Sequence, residues 1–361
     1  MMNRPVEQKR SSAAVTLWDK LFSLKNFWSS AFLVFCTVII SLFTIHCLPF
    51  TAYAETTIRV LLVDGKNTKL PKKGEKIERF GNAKGEVLLS GLKYSGSIEV
   101  WKGENGLYIV NEVPLEDYIK GVVAGEVGNS WDIEALKAQA VVARTYALYQ
   151  KLHNGKMPYD LTSSVIHQVY RSGNIPENIA KAVNDTRGEI LTYEGKPIIA
   201  YYHSTSGGMT EDPAEVFGKS YPYLKPVETS CELSPYFMWE KRIPVSEIER
   251  ASNVTGIKEI MIDDLTVSNR ARDFRIITEN GEHKIPAKEL RKSLGWDRLP
   301  STMITNITKD EDAFIFEGKG YGHGVGMCQW SALDMAKKGM SYRDILSKFY
   351  PGTVIELYEN R

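Results

Sequence analysis

Hydrophobic and polar residues alternate over four short runs near the start of the chain: Ile58–Val63, Glu86–Leu89, Ser97–Trp101 and Leu107–Val110. Gly, Asn and Lys separate them, so a small β-rich part is expected over about 55–110. At Pro114 the rhythm becomes helical. A proline suits the first turn of a helix, and Leu115, Ile119 and Val122 then fall on one helical face. A longer helix is expected from about Asp132 to His153, with Ser130 as candidate cap and Asn154-Gly155 as stop. Leu136, Ala140, Ala143 and Ala147 form its apolar repeat. Glu189–Tyr193 and Pro197–His203 read as a hairpin turning at Glu194-Gly195-Lys196. Residues 240–300 read as an inserted subdomain, a hairpin turning at Asn280-Gly281 and a helix from Pro286 to Leu294 stopped by Gly295. After a glycine-rich segment come a helix to Gly339, another from Ser341 to Tyr350, and a last strand near Val354–Tyr358. Strands and helices mix without regular βαβ alternation, which predicts an α+β fold.

The first 54 residues follow none of these rhythms. Residues 2–25 carry Arg4, Lys9, Arg10, Lys20 and Lys25 against Glu7 and Asp19, an uncharged run follows from Ala31 to Ile45, and Ala52-Tyr53-Ala54 has the spacing of a cleavage site. Residues 1–54 are therefore expected to be either a signal peptide cleaved after Ala54 or an uncleaved membrane anchor, with the remainder of the chain outside the cytoplasm. Residues 111–361 are expected to form the main domain, carrying the 240–300 insertion.

Composition narrows the function classes. The chain has 361 residues, 45 Lys+Arg against 44 Asp+Glu, and 43% hydrophobic residues. That excludes a disordered chain, and without a basic excess there is no electrostatic case for nucleic acid as a partner. Four cysteines are too few for a disulfide framework. Of these, Cys231 and Cys328 lie beyond the export segment and are either a pair or two buried thiols.

Three places carry candidate chemistry. Glu126 continues the apolar stripe of Leu115, Ile119 and Val122. A carboxyl so placed is expected to lose part of its hydration, which raises its pKa and suits it to proton donation. Glu116, Asp117 and Glu134 fall on polar faces and are expected to be solvated. Glycine occupies positions 318, 320, 322, 324 and 326, which predicts either an extended edge open to a flat polymer or a tight internal passage. The segment Tyr201-Tyr-His-Ser-Thr-Ser-Gly-Gly208 has no G-x-S-x-G elbow, and His167, His203, His323, Cys231 and Cys328 lack paired zinc-ligand spacing. No cofactor is expected, and zinc is disfavoured.

Several of these segments together resemble a known family. Val113-Pro-Leu-Glu-Asp-Tyr-Ile-Lys-Gly-Val-Val-Ala-Gly-Glu-Val127, Glu134-Ala-Leu-Lys-Ala-Gln-Ala-Val-Val-Ala-Arg-Thr-Tyr146, His167-Gln-Val-Tyr170, Tyr202-His-Ser-Thr-Ser-Gly-Gly208, Tyr221-Pro-Tyr-Leu224 and Gly320-Tyr-Gly-His-Gly-Val-Gly-Met-Cys-Gln329 resemble, in order, the stage II sporulation protein D (SpoIID/LytB domain) family. The resemblance implies an exported or membrane-associated peptidoglycan lytic transglycosylase with Glu126 as its catalytic acid. It also marks Arg144, Tyr146, Gln168, Tyr170, Tyr201, His203, Ser204, Ser206, His323 and Gln329 as residues of the substrate cleft. Tyr201, Tyr202 and Tyr321 are candidates to stack on sugar rings. Some members bind zinc through cysteines near the His-Ser-x-x-Gly-Gly motif. Here no cysteine follows until Cys231, so metal binding is not implied. The implied partner is the glycan strand freed of stem peptides. The alternative is a glycan-binding activator of a cell-wall amidase.

Overall fold

The computed structural model describes residues 55–358 apart from 63–69, 72–74, 90, 105, 155–156 and 165–166. The expected signal peptide or anchor, residues 1–54, lies outside the described residues. Among the described residues no helix is long and apolar enough to cross a membrane.

The early alternating runs do form strands. Glu78–Lys84, Ser97–Gly103, Gly106–Pro114, Thr57–Leu62 and Leu161–Thr162 lie side by side in that order, with only the last pair parallel. Ile58, Val60 and Val113 turn one face of this sheet inward, against helix α1, Leu115–Glu126. That helix buries the predicted stripe of Leu115, Ile119 and Val122. Helix α2, Ile133–His153, begins one residue later than expected. Its cap is Asp132 and not Ser130: the Asp132 carboxylate accepts the Glu134 amide at 2.9 Å.

Helix α2 is apolar on nearly every side, and that sets its place in the fold. Ala135, Ala138, Val141, Val142 and Tyr146 face one core, shared with the C-terminal helices Gln329–Lys337 and Tyr342–Phe349. Leu136, Ala140, Ala143, Ala147 and Leu148 face another, shared with α1 and the helix Glu177–Asp185. The many alanines leave room for both cores to approach the helix axis.

Glu189–Tyr193 pairs with Lys196–Pro197 through a turn with positive φ at Glu194 (52°) and Gly195 (70°). The expected second arm is shorter than the sequence suggests. Beyond Pro197 the chain leaves this sheet, and Tyr202–His203 pairs in parallel with Met327–Cys328 instead. The expected hairpin and its helix, Ala287–Leu294, are present, but the two-residue turn is Glu279-Asn280, one position earlier than expected: Thr278 pairs with Gly281, which opens the returning strand with a φ of 131°. They share a third core with the sheet built from Trp239–Pro244, Ala313–Gly318 and Ile304–Asp310. Helices and separate small sheets without βαβ order make the fold α+β, as the sequence predicts.

Candidate active site

Glu126 is the last residue of α1, where the apolar stripe runs out. The residue keeps some exposed surface while its carboxyl is enclosed by protein groups. Its Oε1 accepts the Val169 amide at 2.7 Å and the Tyr202 hydroxyl at 3.0 Å. The Gln329 side chain also hydrogen-bonds the carboxyl. Neither a cation nor a second carboxylate is among these partners. Burial raises the Glu126 pKa and prevails over the three hydrogen bonds, which act to lower it.

Gln168 holds this arrangement from behind. It is fully buried, accepts the Tyr118 hydroxyl at 3.0 Å, donates to the Ala143 carbonyl at 3.2 Å and hydrogen-bonds Tyr202. Burial and the neighbouring Glu126 push the hydroxyls of Tyr118 and Tyr202 well above their ordinary range, so both stay protonated donors. Gln329 in turn donates to Gln139 Oε1 at 3.4 Å.

A second group of rings adjoins this one through the backbone of Tyr202. The Tyr202 carbonyl accepts a ring N–H of His323, and His323 Nδ1 accepts the Val325 amide at 3.0 Å. Burial, with Arg291 and Arg270 nearby, lowers His323 to about 3. His203 Nδ1 donates to the Val325 carbonyl at 3.1 Å, and its Nε2 is buried without a partner. Burial holds His203 well below the ordinary histidine range, so both rings are neutral near pH 7. Tyr201 stacks on Phe217 with ring centres 4.3 Å apart, and His323 meets both rings edge-on.

The remaining expected residues are distributed unevenly. Tyr146 lies 6.2 Å from the Tyr201 ring. The carbonyl of Ser204 accepts the Trp330 amide at 3.2 Å. Ser206 is completely buried. Tyr170 packs on Tyr118 and donates to Asn111 Oδ1 at 3.2 Å, away from the carboxyl. Arg144 is enclosed in the core, where it makes a two-pronged pair with Glu116 at 2.9 and 2.8 Å and donates to the Glu189 carbonyl at 2.9 Å. Glu116 is therefore not the solvated charge its polar-face position predicts: it is 8% exposed and neutralised by Arg144.

The glycine-rich segment is the tight passage and not the open edge. Gly320, Gly322, Gly324 and Gly326 all have positive φ, between 74° and 111°. A Cβ at Gly326 would strike the Tyr201 carbonyl, and one at Gly324 would come within 2.7 Å of the Arg270 guanidinium. Several of the segment's amides are engaged: Gly320 donates to Tyr236, Tyr321 to Thr205 and Gly322 to Pro300. Tyr321 packs on Tyr236, with ring centres 4.6 Å apart, and bonds Asp297.

Sequence reasoning treats Tyr202 as a stacking residue and misses it as a direct partner of the carboxyl. Its alternation with His203 in a strand, which sends the two side chains to opposite sides, is the signal that could have separated them. Among the described residues no three His, Cys, Asp or Glu side chains converge as metal ligands.

Residues 103–193 match a family described as "Stage II sporulation protein", and residues 228–326 match a domain of unknown function. The chain is 33% identical to stage II sporulation protein D of Bacillus amyloliquefaciens, over 72% of this chain and 78% of that protein. It is 32% identical to the Bacillus subtilis amidase enhancer, over 66% of this chain and 40% of that longer protein. It is also 36% identical to an uncharacterised protein of Brachyspira hyodysenteriae, over 75% of this chain and 74% of that protein.

Proposed function

The chain belongs to the stage II sporulation protein D family, and from that premise we propose that it is an exported peptidoglycan lytic transglycosylase acting in sporulation or wall remodelling. The observation that supports this most is the Glu126 carboxyl, desolvated and held by a backbone amide, a phenol and a carboxamide. Hydrolysis of a glycosidic bond ordinarily uses two carboxylates. A lytic transglycosylase manages with one. Protonated Glu126 gives its proton to the glycosidic oxygen leaving N-acetylmuramic acid. The resulting carboxylate then takes the proton of that sugar's own primary hydroxyl as the hydroxyl oxygen attacks the anomeric carbon. An anhydro-muramic end forms, no water is consumed, and Glu126 is protonated again. Because the nucleophile is tethered to the reacting sugar, much of the entropic barrier is removed beforehand.

Burial of the carboxyl serves the first step by keeping the proton on at a pH where a solvated glutamate has lost it. The Tyr202 hydroxyl and the Val169 amide serve the second by hydrogen-bonding the transient carboxylate. Tyr201, Ser204 and His323, each partly exposed, would meet the sugar, with the buried His203 behind the His323 ring. Arg144 acts from the core by tying α2 to α1, and Tyr170 by packing on Tyr118 of α1 and bonding Asn111 of the sheet.

The match to an amidase enhancer supports a second reading, a glycan-binding protein that activates a separate amidase. The Glu126→Gln variant separates the two. Wild type and variant are incubated with glycan strands carrying or lacking stem peptides, and the new ends are read by mass spectrometry. Anhydro-muramic ends from the wild type alone, with a loss of at least ~1,000-fold in the variant, are the expected result. Reducing ends would mean hydrolysis. Glycan binding without cleavage in either protein would move the conclusion to the activator.

A further inference from the structure

We propose that Cys231 and Cys328 form a disulfide that clasps the two chain segments entering and leaving the 239–318 region, an inference that rests on the reading of this protein as exported. Both thiols are free and completely buried in the core shared by α2 and the C-terminal helices. They hydrogen-bond to one another, and both sulfurs sit against one residue. Ser206 donates its amide to Cys328 Sγ at 3.3 Å, and its hydroxyl lies 3.5 Å from Cys231 Sγ.

Their places along the chain give the pairing its meaning. Cys231 precedes the strand Trp239–Pro244, where the chain enters the third core, and Cys328 follows Ala313–Gly318, where it leaves. A bond between them closes the whole region into a covalent loop anchored in a different core. Cys328 also stands next to Gln329, which hydrogen-bonds Glu126, so the same bond fixes the start of the segment that reaches the carboxyl.

In the folded chain the Cys328 thiol and the Ser206 hydroxyl lower the Cys231 pKa against the opposing effect of burial, and the buried Arg270 guanidinium donates to the Ser206 carbonyl at 2.6 Å, so the two sulfurs are held beside one another once the core has formed. The oxidant is a disulfide, either a thiol oxidoreductase or a small molecule such as oxidised glutathione. The Cys231 thiolate attacks one of its sulfurs and expels the other as thiolate. The Cys328 thiol then gives up its proton and attacks Cys231 Sγ in the mixed disulfide, expelling the second thiolate. Two protein thiols are oxidised, one oxidant disulfide is reduced, and the two protons pass to the departing thiolates. Because both sulfurs are enclosed in the native state, exchange takes place during folding, before the core closes over them.

The test maps thiols in the full-length chain recovered from the cells that export it. Free thiols are trapped with an alkylating agent in denaturant at acid pH, and peptides are identified by mass spectrometry without reduction. The expected result is a linked Cys231–Cys328 peptide pair, distinct from any pairing of Cys36 or Cys47. Reductant is then expected to lower Tm on the order of 5–10 °C in the wild type and to leave Cys328→Ser unchanged. In parallel, the reduced chain is refolded with oxidised glutathione. A linked pair formed there but absent from cells would support the pairing and sink the exported reading. Alkylation of both cysteines in each sample would overturn the pairing, whether or not the Cys328→Ser variant folds.

Discussion

A carboxyl enclosed by protein holds its proton more tightly than one in water, and Glu126 carries that property into the stability of the whole molecule. Its folded pKa is raised by burial, whereas in the unfolded chain it titrates near the usual ~4.3. The folded state therefore binds the proton more strongly. The stability this contributes is complete below the unfolded pKa and is lost as pH rises through the folded value. A Gln at this position cannot ionise, yet its carbonyl still accepts from Val169 and Tyr202. Glu126→Gln is thus expected to be close to wild type in stability at pH 4 and more stable than wild type at pH 8. Urea midpoints at both pH values check this. The buried histidines bias the curves of both proteins equally and cancel in the difference. A variant less stable than wild type at pH 8 would remove the desolvated acid from the mechanism.

At the scale of elements, the pairing of α1 with α2 turns on Arg144 and Glu116, 0% and 8% exposed. Removing one partner of a buried pair strands the other charge, so Arg144→Ala is expected to cost about 3–5 kcal/mol. Replacing both, Arg144→Met with Glu116→Leu, is expected to recover most of that loss. Denaturant midpoints of the two variants decide the matter, and a double variant as unstable as the single one would refute the account. This pair also shows what the sequence concealed. The stripe that ends at Glu126 was legible because helical spacing is local. So was the hairpin over 278–281, to within one position, because its positive φ falls on Gly281 itself. That Glu116 meets a guanidinium 28 positions away depends on how two helices pack, which no periodicity records. The glycines at 320–326 left two readings open for the same reason: alternation alone does not separate an open edge from the close passage they make beside Tyr201, His203 and Arg270.

At the scale of the molecule, the position of α2 between two cores has a consequence for how the protein comes apart. A helix that packs on one side can peel away while the rest survives. One whose opposite faces serve separate clusters cannot leave either without exposing both. The sheet of residues 57–114 and the C-terminal helices barely need to touch one another to share a fate, because each leans on the same alanine-lined rod. Amide protons of residues such as Ala140, Val141 and Ala143 are therefore expected to exchange only through global opening, with a free energy equal to that of complete unfolding. Those in the hairpin that turns at Asn280 draw on a core of their own and are expected to exchange faster. Hydrogen exchange followed by mass spectrometry measures both. The rod thus makes the part that carries Glu126 a single cooperative unit, so damage to the early sheet or to the C-terminal helices should reach the glutamate through loss of the native population.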